Sequence, residues 1–219
     1  FSGYAQEKSM LNDTVKLDEV LVKATRVDEK APFVNSNITK EEIESRNLGQ
    51  DIPVLLNFLP NVVSTSDAGN GIGYTGIRVR GSDATRVNVT INGIPLNDSE
   101  SHGVFWVNLP DFASPTQSMQ LQRGVGSSTN GAGAFGASLS LSTNGIQEEA
   151  YGELGFSGGS FNTLKANVQF GSGIIGGEGK FKSEFTGRIS TIQSDGYIDR
   201  ASADLRSVYL SASIFSEKT

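Results

Sequence analysis

Alternating apolar and polar residues at 76–136 restrict the fold of this chain more than any other feature of its sequence. Ile77 and Val79 alternate with two arginines, and the same pattern returns at 87–91 and 118–123. A repeat of two residues is typical of a β-strand with one buried face. The region therefore predicts a compact unit built from short strands.

A hairpin turn is predicted at Asn92-Gly93, which separates two of these apolar runs. The pair is a strong signal because both central residues of the favoured two-residue turn have positive φ. Pro95 follows in the return strand, and proline has no backbone N–H to donate to a neighbouring strand. The return strand is therefore expected at an edge of the sheet.

Two short helices are predicted ahead of these strands. Thr39 and Glu42 have the spacing of a capping box, which opens a helix that ends near Asn47. A second helix opens near Asp51, with Pro53 in its first turn. Its apolar residues recur at helical spacing, so this face is expected in the core and not at a cofactor. These residues are Ile52, Leu55, Leu56 and Leu59.

The composition excludes several classes of protein. The 219 residues allow one large or two small domains, and none is a cysteine, so there is no disulfide or thiolate metal site. A net charge of −6 without a basic cluster argues against nucleic-acid binding. No apolar run approaches the ~20 residues of a spanning helix, so contact with a membrane interior would require a β-barrel.

Four further alternating runs follow Tyr151, and each is expected to belong to a strand of about ten residues, the length of a tilted membrane strand. One face of each run is apolar and the other is polar, as in barrels with lipid outside and a wet interior. A soluble β-sandwich shows the same alternation, so the pattern alone leaves both open. In a barrel, residues 171–179 are expected as a short turn at one end of the strands and 195–204 as a longer loop at the other. The runs are 152–157, 164–170, 181–190 and 207–214.

Several motifs in a fixed order are similar to those of one family. They lie at 77–81, 89–98, 105–111 and 121–136, and they read IRVRG, VTINGIPLND, FWVNLPD and LQRGVGSSTNGAGAFG. Together they resemble the plug domain of TonB-dependent outer-membrane transporters. The third motif most resembles the ferric-citrate-receptor-like, iron-complex branch of Bacteroidetes type. The resemblance extends from about Leu17 to Thr219.

The resemblance implies an α+β plug domain, with a small mixed sheet and two short helices. The first four antiparallel strands of an incomplete transmembrane β-barrel, of about 22 strands when complete, would follow it. We expect the N-terminal piece of a larger transporter, since four strands cannot close a barrel.

The expected domain boundaries follow from the same resemblance. Residues 1–15 are assigned to a signal-peptide remnant and flexible N-terminus, 16–35 to a TonB-box segment and linker, 36–146 to the plug, and 147–219 to the first barrel strands. Gly3-Tyr4-Ala5 has the small residues that signal peptidase recognises, and an ordinary flexible terminus fits equally well.

An extended segment without a local partner is predicted at 16–26. Such a segment can add its edge to the sheet of another protein, or it can form the first strand of its own domain. It resembles the TonB box, which in this family pairs with the C-terminal domain of TonB in the periplasm. The implied residues are Asp18, Glu19, Val20, Leu21, Val22, Lys23, Ala24 and Thr25.

Two polar loops, 66–74 and 98–108, leave the predicted sheet. In the plug family such loops form apices that help to hold the substrate. His102 could donate to a bound carboxylate, and the aromatic rings could cover apolar parts of a ligand. The alternatives are that the two aromatic residues belong to the core and that His102 is a surface residue. The implied contacts are Ser66, Asp67, Asn70, His102, Phe105 and Trp106.

A metal site in the second loop has weak support. One histidine beside Asp98 and Glu100 is too few ligands of the preferred kinds for a built site. We therefore expect no protein-bound metal and no cofactor.

Arg80 and Arg123 each end an apolar strand just before a glycine. An arginine near a buried surface requires a carboxylate partner, because an unpaired buried charge is strongly unfavourable. In the family, plug arginines at these positions pair with glutamates of the barrel wall. We expect both residues to face the barrel interior, with partners beyond Thr219. Solvated charges at strand ends are the alternative.

The implied function is energy-coupled uptake of an iron complex, a siderophore or ferric citrate, through the outer membrane of a Gram-negative cell. The plug and TonB box would lie on the periplasmic side, and the plug would gate the barrel and signal ligand occupancy to TonB. The expected partners are TonB, outer-membrane lipid, the iron chelate and the missing barrel strands, without nucleic acid. A free-standing periplasmic binding module, or a glycan or cobalamin importer of the same family, is the alternative.

No catalytic residue is expected. The single histidine has no serine or cysteine motif around it, which argues against a hydrolase. The glycine motif at 131–136 matches a nucleotide-binding pattern, but a strand pattern follows it where such a site would open a helix.

Overall fold

The computed structural model describes Arg26 and residues 33–126, 133–143, 145–176 and 181–215. Within these ranges the chain forms two parts. The first, here called the N-terminal unit, lies between residues 33 and 143 and contains both helices and seven strands. The second, here called the C-terminal sheet, begins at Tyr151 and contains four strands.

Both predicted helices are present. Helix α1 spans Lys40–Arg46, and its predicted capping box forms: Thr39 Oγ1 accepts from the Glu42 N–H at 3.4 Å, and the Glu42 carboxylate accepts from the Thr39 N–H at 3.0 Å. Helix α2 spans Ile52–Leu55 and continues as a 3₁₀ turn over Leu56–Phe58. The capping box thus starts α1 where the sequence predicts, because it satisfies N–H groups that the first turn leaves free.

A five-stranded mixed sheet forms the centre of the N-terminal unit. Its strands are β1 (Asn35–Ile38), β4 (Val87–Ile91), β5 (Ile94–Pro95), β6 (Ser118–Arg123) and β7 (Ala137–Ser142). The spatial order is β1-β6-β7-β4-β5, with β4 and β7 parallel and the other neighbours antiparallel. Every residue of β7, and all but the first of β6, is buried. These two strands are therefore buried on both faces, whereas the alternating sequence pattern predicted that only one face would be buried.

The predicted hairpin forms at Asn92 and Gly93, whose φ angles are +51° and +81°. The turn pairs Ile91 with Ile94, and β5 lies at the edge of the sheet. The edge position predicted from Pro95 is therefore confirmed.

A separate two-stranded sheet joins β2 (Val62–Ser66) to β3 (Thr75–Val79) in antiparallel pairing. The loop between these strands, residues 67–74, corresponds to the first of the two predicted polar loops, 66–74. The apolar face of α2 packs into the same core as the two sheets, as predicted. Buried core residues include Ile43, Ile52, Leu55, Leu56, Leu59, Ile77, Val79, Val89, Leu121 and Leu139.

The C-terminal sheet is a meander of four antiparallel strands. They are β8 (Tyr151–Gly159), β9 (Thr163–Gly171), β10 (Lys182–Ser194) and β11 (Ala203–Phe215), in the order β11-β10-β9-β8. The connections at 160–162 and 195–202 lie at one end of the sheet and the connection at 172–181 lies at the other, because neighbouring strands alternate in direction.

The two faces of the C-terminal sheet are reversed relative to a water-soluble protein. Apart from the buried Ile192, most of its large apolar side chains are exposed, whereas charged and hydroxyl side chains on the opposite face are buried, with Lys165 and Arg188 against Asp111 of the N-terminal unit. A soluble sandwich packs its apolar faces inward, so this arrangement does not fit the sandwich alternative. The exposed apolar residues include Leu154, Phe156, Leu164, Val168, Phe170, Phe185, Ile189, Val208, Leu210 and Ile214. In the described ranges, none of the helices has the length and apolar character needed to cross a bilayer.

Candidate functional site

Three of the predicted ligand-contact residues lie in or beside the loop between β2 and β3. Asp67 is exposed. Ser66 Oγ accepts from the Gly71 N–H at 3.0 Å. Asn70 Nδ2 donates to Ser194 Oγ, at the end of β10, at 2.7 Å. Asn70 therefore links this loop to the C-terminal sheet, and Asp67 presents an exposed carboxylate beside it.

The connection between β10 and β11 packs onto the same loop. The N–H groups of Tyr197 and Ile198 both donate to the Ala68 carbonyl, at 2.8 and 3.2 Å. The Tyr197 ring lies against Gly69, where a Cβ would stand 3.0 Å from it. Phe161, from the turn between β8 and β9, meets Tyr197 edge to face with ring centroids 5.5 Å apart. This aromatic pair was not predicted; its signal in the sequence is two aromatic residues in turns at the same end of the sheet.

The three predicted ligand-contact residues of the second loop differ in their exposure to solvent. His102 is exposed and has a φ of +56°. Phe105 is 52% exposed, whereas Trp106 is 3% exposed and belongs to the core of the N-terminal unit. Trp106 therefore lies in the core and His102 lies on the surface, which are the positions that the alternative interpretation of each residue gave. Ligand contact by these three residues stays a prediction.

Arg80 and Arg123 have different surroundings. Arg123 is buried; its Nε donates to the Pro60 carbonyl at 3.0 Å and its Nη2 donates to Ser36 Oγ at 2.8 Å. Burial, and then the like charge of Arg80, lowers the pKa of Arg123. Arg80 is exposed and has a φ of +52°. Arg123 is thus held by neutral acceptors of the N-terminal unit, and pairing of either arginine with wall carboxylates stays a prediction.

Three charged side chains meet where the N-terminal unit covers the C-terminal sheet. We call Asp111, Lys165 of β9 and Arg188 of β10 the Asp111 cluster. Lys165 Nζ lies 2.7 Å from Asp111 Oδ1, and Arg188 Nη2 pairs with Asp111 Oδ2. The side chains of Asp111, Lys165 and Arg188 are 0%, 7% and 2% exposed. The cluster is therefore a buried ion network that joins the two parts of the chain.

Hydrogen bonds within the N-terminal unit fix the position of the Asp111 carboxylate. Ser114 Oγ donates to Asp111 Oδ1 at 2.6 Å, and Asn47 Nδ2 donates to Ser114 Oγ at 2.9 Å. Lys40 Nζ donates to the Ser114 carbonyl at 2.6 Å. Asp111 itself has a φ of +56°, a conformation uncommon for residues other than glycine. The turn that presents this carboxylate is therefore tied to both ends of α1.

The Asp111 cluster was not predicted from the sequence. Asp111 belongs to the motif at 105–111, and Lys165 and Arg188 lie on the polar faces of two predicted strands. The available signal was that two cations share the face opposite the apolar residues. Gly49 makes room for one of them, since it has a φ of +107° and a Cβ there would lie 3.2 Å from Lys165 Cδ.

A polar cavity of about 480 Å³ lies beside the cluster, between α1 and strands β8 and β9. Its lining includes Glu44, Gln117, Glu153, Asn167 and Gln169. Charged and amide groups of this kind can hold water or a solute with many hydrogen-bonding atoms. The N-terminal unit and the C-terminal sheet are therefore separated by polar space on the β8 side.

Asp51 is a buried carboxyl group at the base of the loop between β2 and β3. Its N–H donates to the Gly71 carbonyl at 2.9 Å, and its Oδ2 accepts from Thr75 Oγ1 at 2.8 Å. Its Oδ1 has no hydrogen-bond partner among the described residues. Burial raises the pKa of Asp51 to about 7, against the opposing effect of the Thr75 hydroxyl. The folded chain therefore binds a proton at Asp51 more tightly than the unfolded chain does.

We expect Asp51 to make stability fall as the pH rises. Its contribution is complete below the unfolded pKa of about 4 and is lost as the pH rises through the folded pKa of about 7. Asp51→Asn imitates the protonated carboxyl, so at pH 8 it should exceed the parent protein in free energy of unfolding by on the order of 2 kcal/mol. At pH 4 the two should be equal.

Urea unfolding in detergent between pH 4 and pH 8 measures this difference. Asp67→Asn, which changes an exposed carboxylate on the same loop, is the matched control and should follow the parent protein. A constant difference between Asp51→Asn and the parent protein at all pH values would contradict the assignment.

The predicted TonB-box residues, 18–25, lie outside the described residues, as does Gly131 of the glycine motif. Within the part of the chain that the structure describes, no group of three histidine, aspartate or glutamate side chains could hold a metal ion.

Residues 27–138 match the family model described as the TonB-dependent Receptor Plug Domain. Among curated proteins, the chain is similar to PirA of Acinetobacter baumannii, described as a probable TonB-dependent siderophore receptor. The two are 25% identical over 154 residues, which cover 66% of this chain and 20% of that protein.

Solved structures show the same fold. The siderophore receptor PirA from Pseudomonas aeruginosa is 20% identical, with a TM-score of 0.59, and the match covers 87% of this chain and 32% of that one. FpvA of P. aeruginosa, bound to heterologous pyoverdines, is 14% identical, with a TM-score of 0.62, and the match covers 87% of this chain and 24% of that one. The chain thus spans about a fifth of the curated relative and a quarter to a third of these structures. The predicted plug fold followed by antiparallel strands is confirmed, whereas the Bacteroidetes type stays a prediction.

Proposed function

Because this chain belongs to the family of TonB-dependent receptors that carry the plug domain, we propose that it serves energy-coupled uptake of an iron–siderophore complex through the outer membrane of a Gram-negative cell. Proteins of this family are receptors and transporters, not enzymes. In this proposal the N-terminal unit acts as the plug and the C-terminal sheet acts as part of the barrel wall.

One observation carries the proposal: the C-terminal sheet exposes its apolar face, and the N-terminal unit covers charged side chains on the polar face of its central strands β9 and β10. Exposed side chains such as Phe156, Val168 and Leu210 would be unfavourable in water and favourable in lipid. On the opposite face, Lys165 and Arg188 are buried against Asp111 of the N-terminal unit. A lipid-facing wall that encloses a polar plug accounts for both faces.

The choice of ligand rests on the relatives. PirA is described as a siderophore receptor, FpvA was solved with pyoverdines, and the P. aeruginosa receptor PfeA was solved with enterobactin. We propose that a ferric siderophore contacts the loops at the 195–202 end of the sheet. The contacting residues are Ser66, Asp67, Asn70, His102 and Phe105, together with the aromatic pair Phe161 and Tyr197, and Trp106 supports them from the core.

Coupling to the inner membrane is assigned to the segment at 18–25. In this proposal it pairs as an added strand with the C-terminal domain of TonB on the periplasmic side. Occupancy of the loop at 67–74 is signalled through the N-terminal unit to that segment, and Arg80 and Arg123 pair with carboxylates of the wall.

Uptake of radiolabelled ferric enterobactin and ferric pyoverdine by cells that rely on this receptor tests the proposal. Deleting residues 18–25 should reduce uptake of the accepted complex at least about tenfold while leaving binding to the cells unchanged, because in this proposal that segment contacts TonB and not the ligand. Deleting residues 6–13, a matched stretch of the same terminal region, should leave both unchanged. Uptake that persists after deletion of residues 18–25 would contradict the proposal. So would the finding that the cells bind neither of the two complexes.

A further inference from the structure

Strand β10 is the part of the C-terminal sheet that the N-terminal unit covers most completely. Its inward side chains are buried along most of its length. They are Glu184, Arg188, Ser190, Ile192 and Ser194. Strand β9 is equally central in the sheet, yet Asn167 and Gln169 on its inner face are half-buried. An interior position in the sheet therefore does not explain why the side chains of β10 are buried. They are buried because the N-terminal unit covers them.

The first contact along β10 lies at its C-terminal end. Ser194 Oγ accepts from Asn70 Nδ2 at 2.7 Å, in the loop between β2 and β3. Just beyond the strand, the N–H of Tyr197 donates to the Ala68 carbonyl at 2.8 Å. A side-chain bond and a main-chain bond thus attach one loop of the N-terminal unit to the end of β10.

Two further contacts lie toward the other end of β10. Arg188 pairs with Asp111 in the buried cluster. Glu184 is buried, and its Oε1 accepts from the N–H of Gln147 at 3.0 Å, in the segment that leads from the N-terminal unit into β8. At about 3.3 Å per residue, the contacts from Glu184 to Ser194 extend over roughly 33 Å. Three separate segments of the chain are therefore attached to one strand.

The interface toward β8 contrasts with this arrangement. There the cavity of about 480 Å³ separates α1 from β8 and β9. The contacts that join the two parts are thus concentrated on β10, together with Lys165 of the neighbouring strand.

We propose that the N-terminal unit, together with residues 145–150 that follow it, stays fastened to β10, so that they move as one body and the path for a solute opens on the side of β8 and β9. The direction of the path rests on the proposed transport function, whereas the fastening does not. The three contacts, at Ser194, Arg188 and Glu184, are then cooperative. Breaking one of them should make the other two open more often.

Hydrogen exchange of the intact protein in detergent micelles tests the fastening. Arg188→Met breaks the middle contact and leaves Asp111 paired with Lys165, so no buried charge is left alone. The amides of Tyr197 and Gln147 report on the other two contacts, and both should exchange about tenfold faster. The matched control is Ile189→Ala, which truncates the neighbouring side chain on the exposed apolar face and should leave both rates unchanged.

The outcomes separate clearly. Faster exchange at both amides, with unchanged exchange in the hydrogen bonds between β10 and β11, supports the proposal. Unchanged exchange at either amide, or equal acceleration throughout the sheet, overturns it. If Arg188→Met does not fold, Asn70→Ala breaks the outer contact instead, and the Gln147 rate decides in the same way. No siderophore or TonB is present, so this result is independent of the uptake proposal.

Discussion

Replacing Asp111 by alanine is expected to lower the free energy of unfolding by about 3–5 kcal/mol, because Lys165 and Arg188 would remain buried without a carboxylate. The loss should be measured by urea unfolding of the protein in detergent micelles. The N-terminal unit should also dissociate from the C-terminal sheet more easily, which limited proteolysis detects.

The control for this substitution is an exposed ion pair on the same sheet. Asp204 pairs with Arg206 at 3.4 Å, and the two side chains are 52% and 77% exposed. Such pairs contribute little, so Asp204→Ala should change the free energy of unfolding by less than about 1 kcal/mol. Equal losses from the two substitutions would contradict a buried network at Asp111.

A triple variant distinguishes the charge effect from damage to packing. Combining Asp111→Leu with Lys165→Met and Arg188→Met removes the whole network and leaves no buried charge alone. Replacing a buried ion network with apolar residues of similar size is often neutral or stabilising. The triple variant should therefore recover most of the loss caused by Asp111→Ala.

Replacing Trp106 by alanine should also be severe, with a loss of about 3–5 kcal/mol in the free energy of unfolding. The side chain is 3% exposed and packs in the core of the N-terminal unit, so its removal leaves a cavity that its neighbours fill incompletely. Thermal or urea unfolding measures the loss.

The neighbouring residue provides a matched control for Trp106. Phe105 is 52% exposed, and Phe105→Ala should lower stability by less than about 1 kcal/mol. Siderophore binding should respond to Phe105→Ala at constant stability, if Phe105 contacts the ligand as proposed. Stability that is insensitive to Trp106→Ala would show that this residue has no structural role in the core.

Features that depend on neighbouring residues were predictable from the sequence. The capping box of Thr39 and Glu42, the turn at Asn92-Gly93, and β6 with its observed bounds all depend on chemistry within a few residues. Alternation also predicted the four strands of the C-terminal sheet. β10 begins one residue later than predicted and extends four residues further, to Ser194, where its last residues pair with β11.

Features that depend on the docking of distant segments were not predictable in the same way. The Asp111 cluster joins three residues that lie at least 23 positions apart in the chain, and no local pattern marks them as partners. Trp106 and Phe105 are adjacent aromatic residues with opposite exposure, because a 3₁₀ turn begins between them. Arg123 is held by a carbonyl and a hydroxyl, where charge alone suggested a carboxylate.

The order of the five-stranded sheet has a mechanical consequence for Arg123. β1 lies at the rim of the described sheet and pairs with β6 over four residues. Its Ser36 accepts from the Arg123 guanidinium at 2.8 Å, and the Val34 carbonyl, just before β1, accepts from the Arg123 N–H at 2.9 Å. A pulling force applied to the chain ahead of Asn35 would first separate β1 from β6 and expose the Arg123 guanidinium. Strands β6, β7 and β4 would keep their mutual hydrogen bonds.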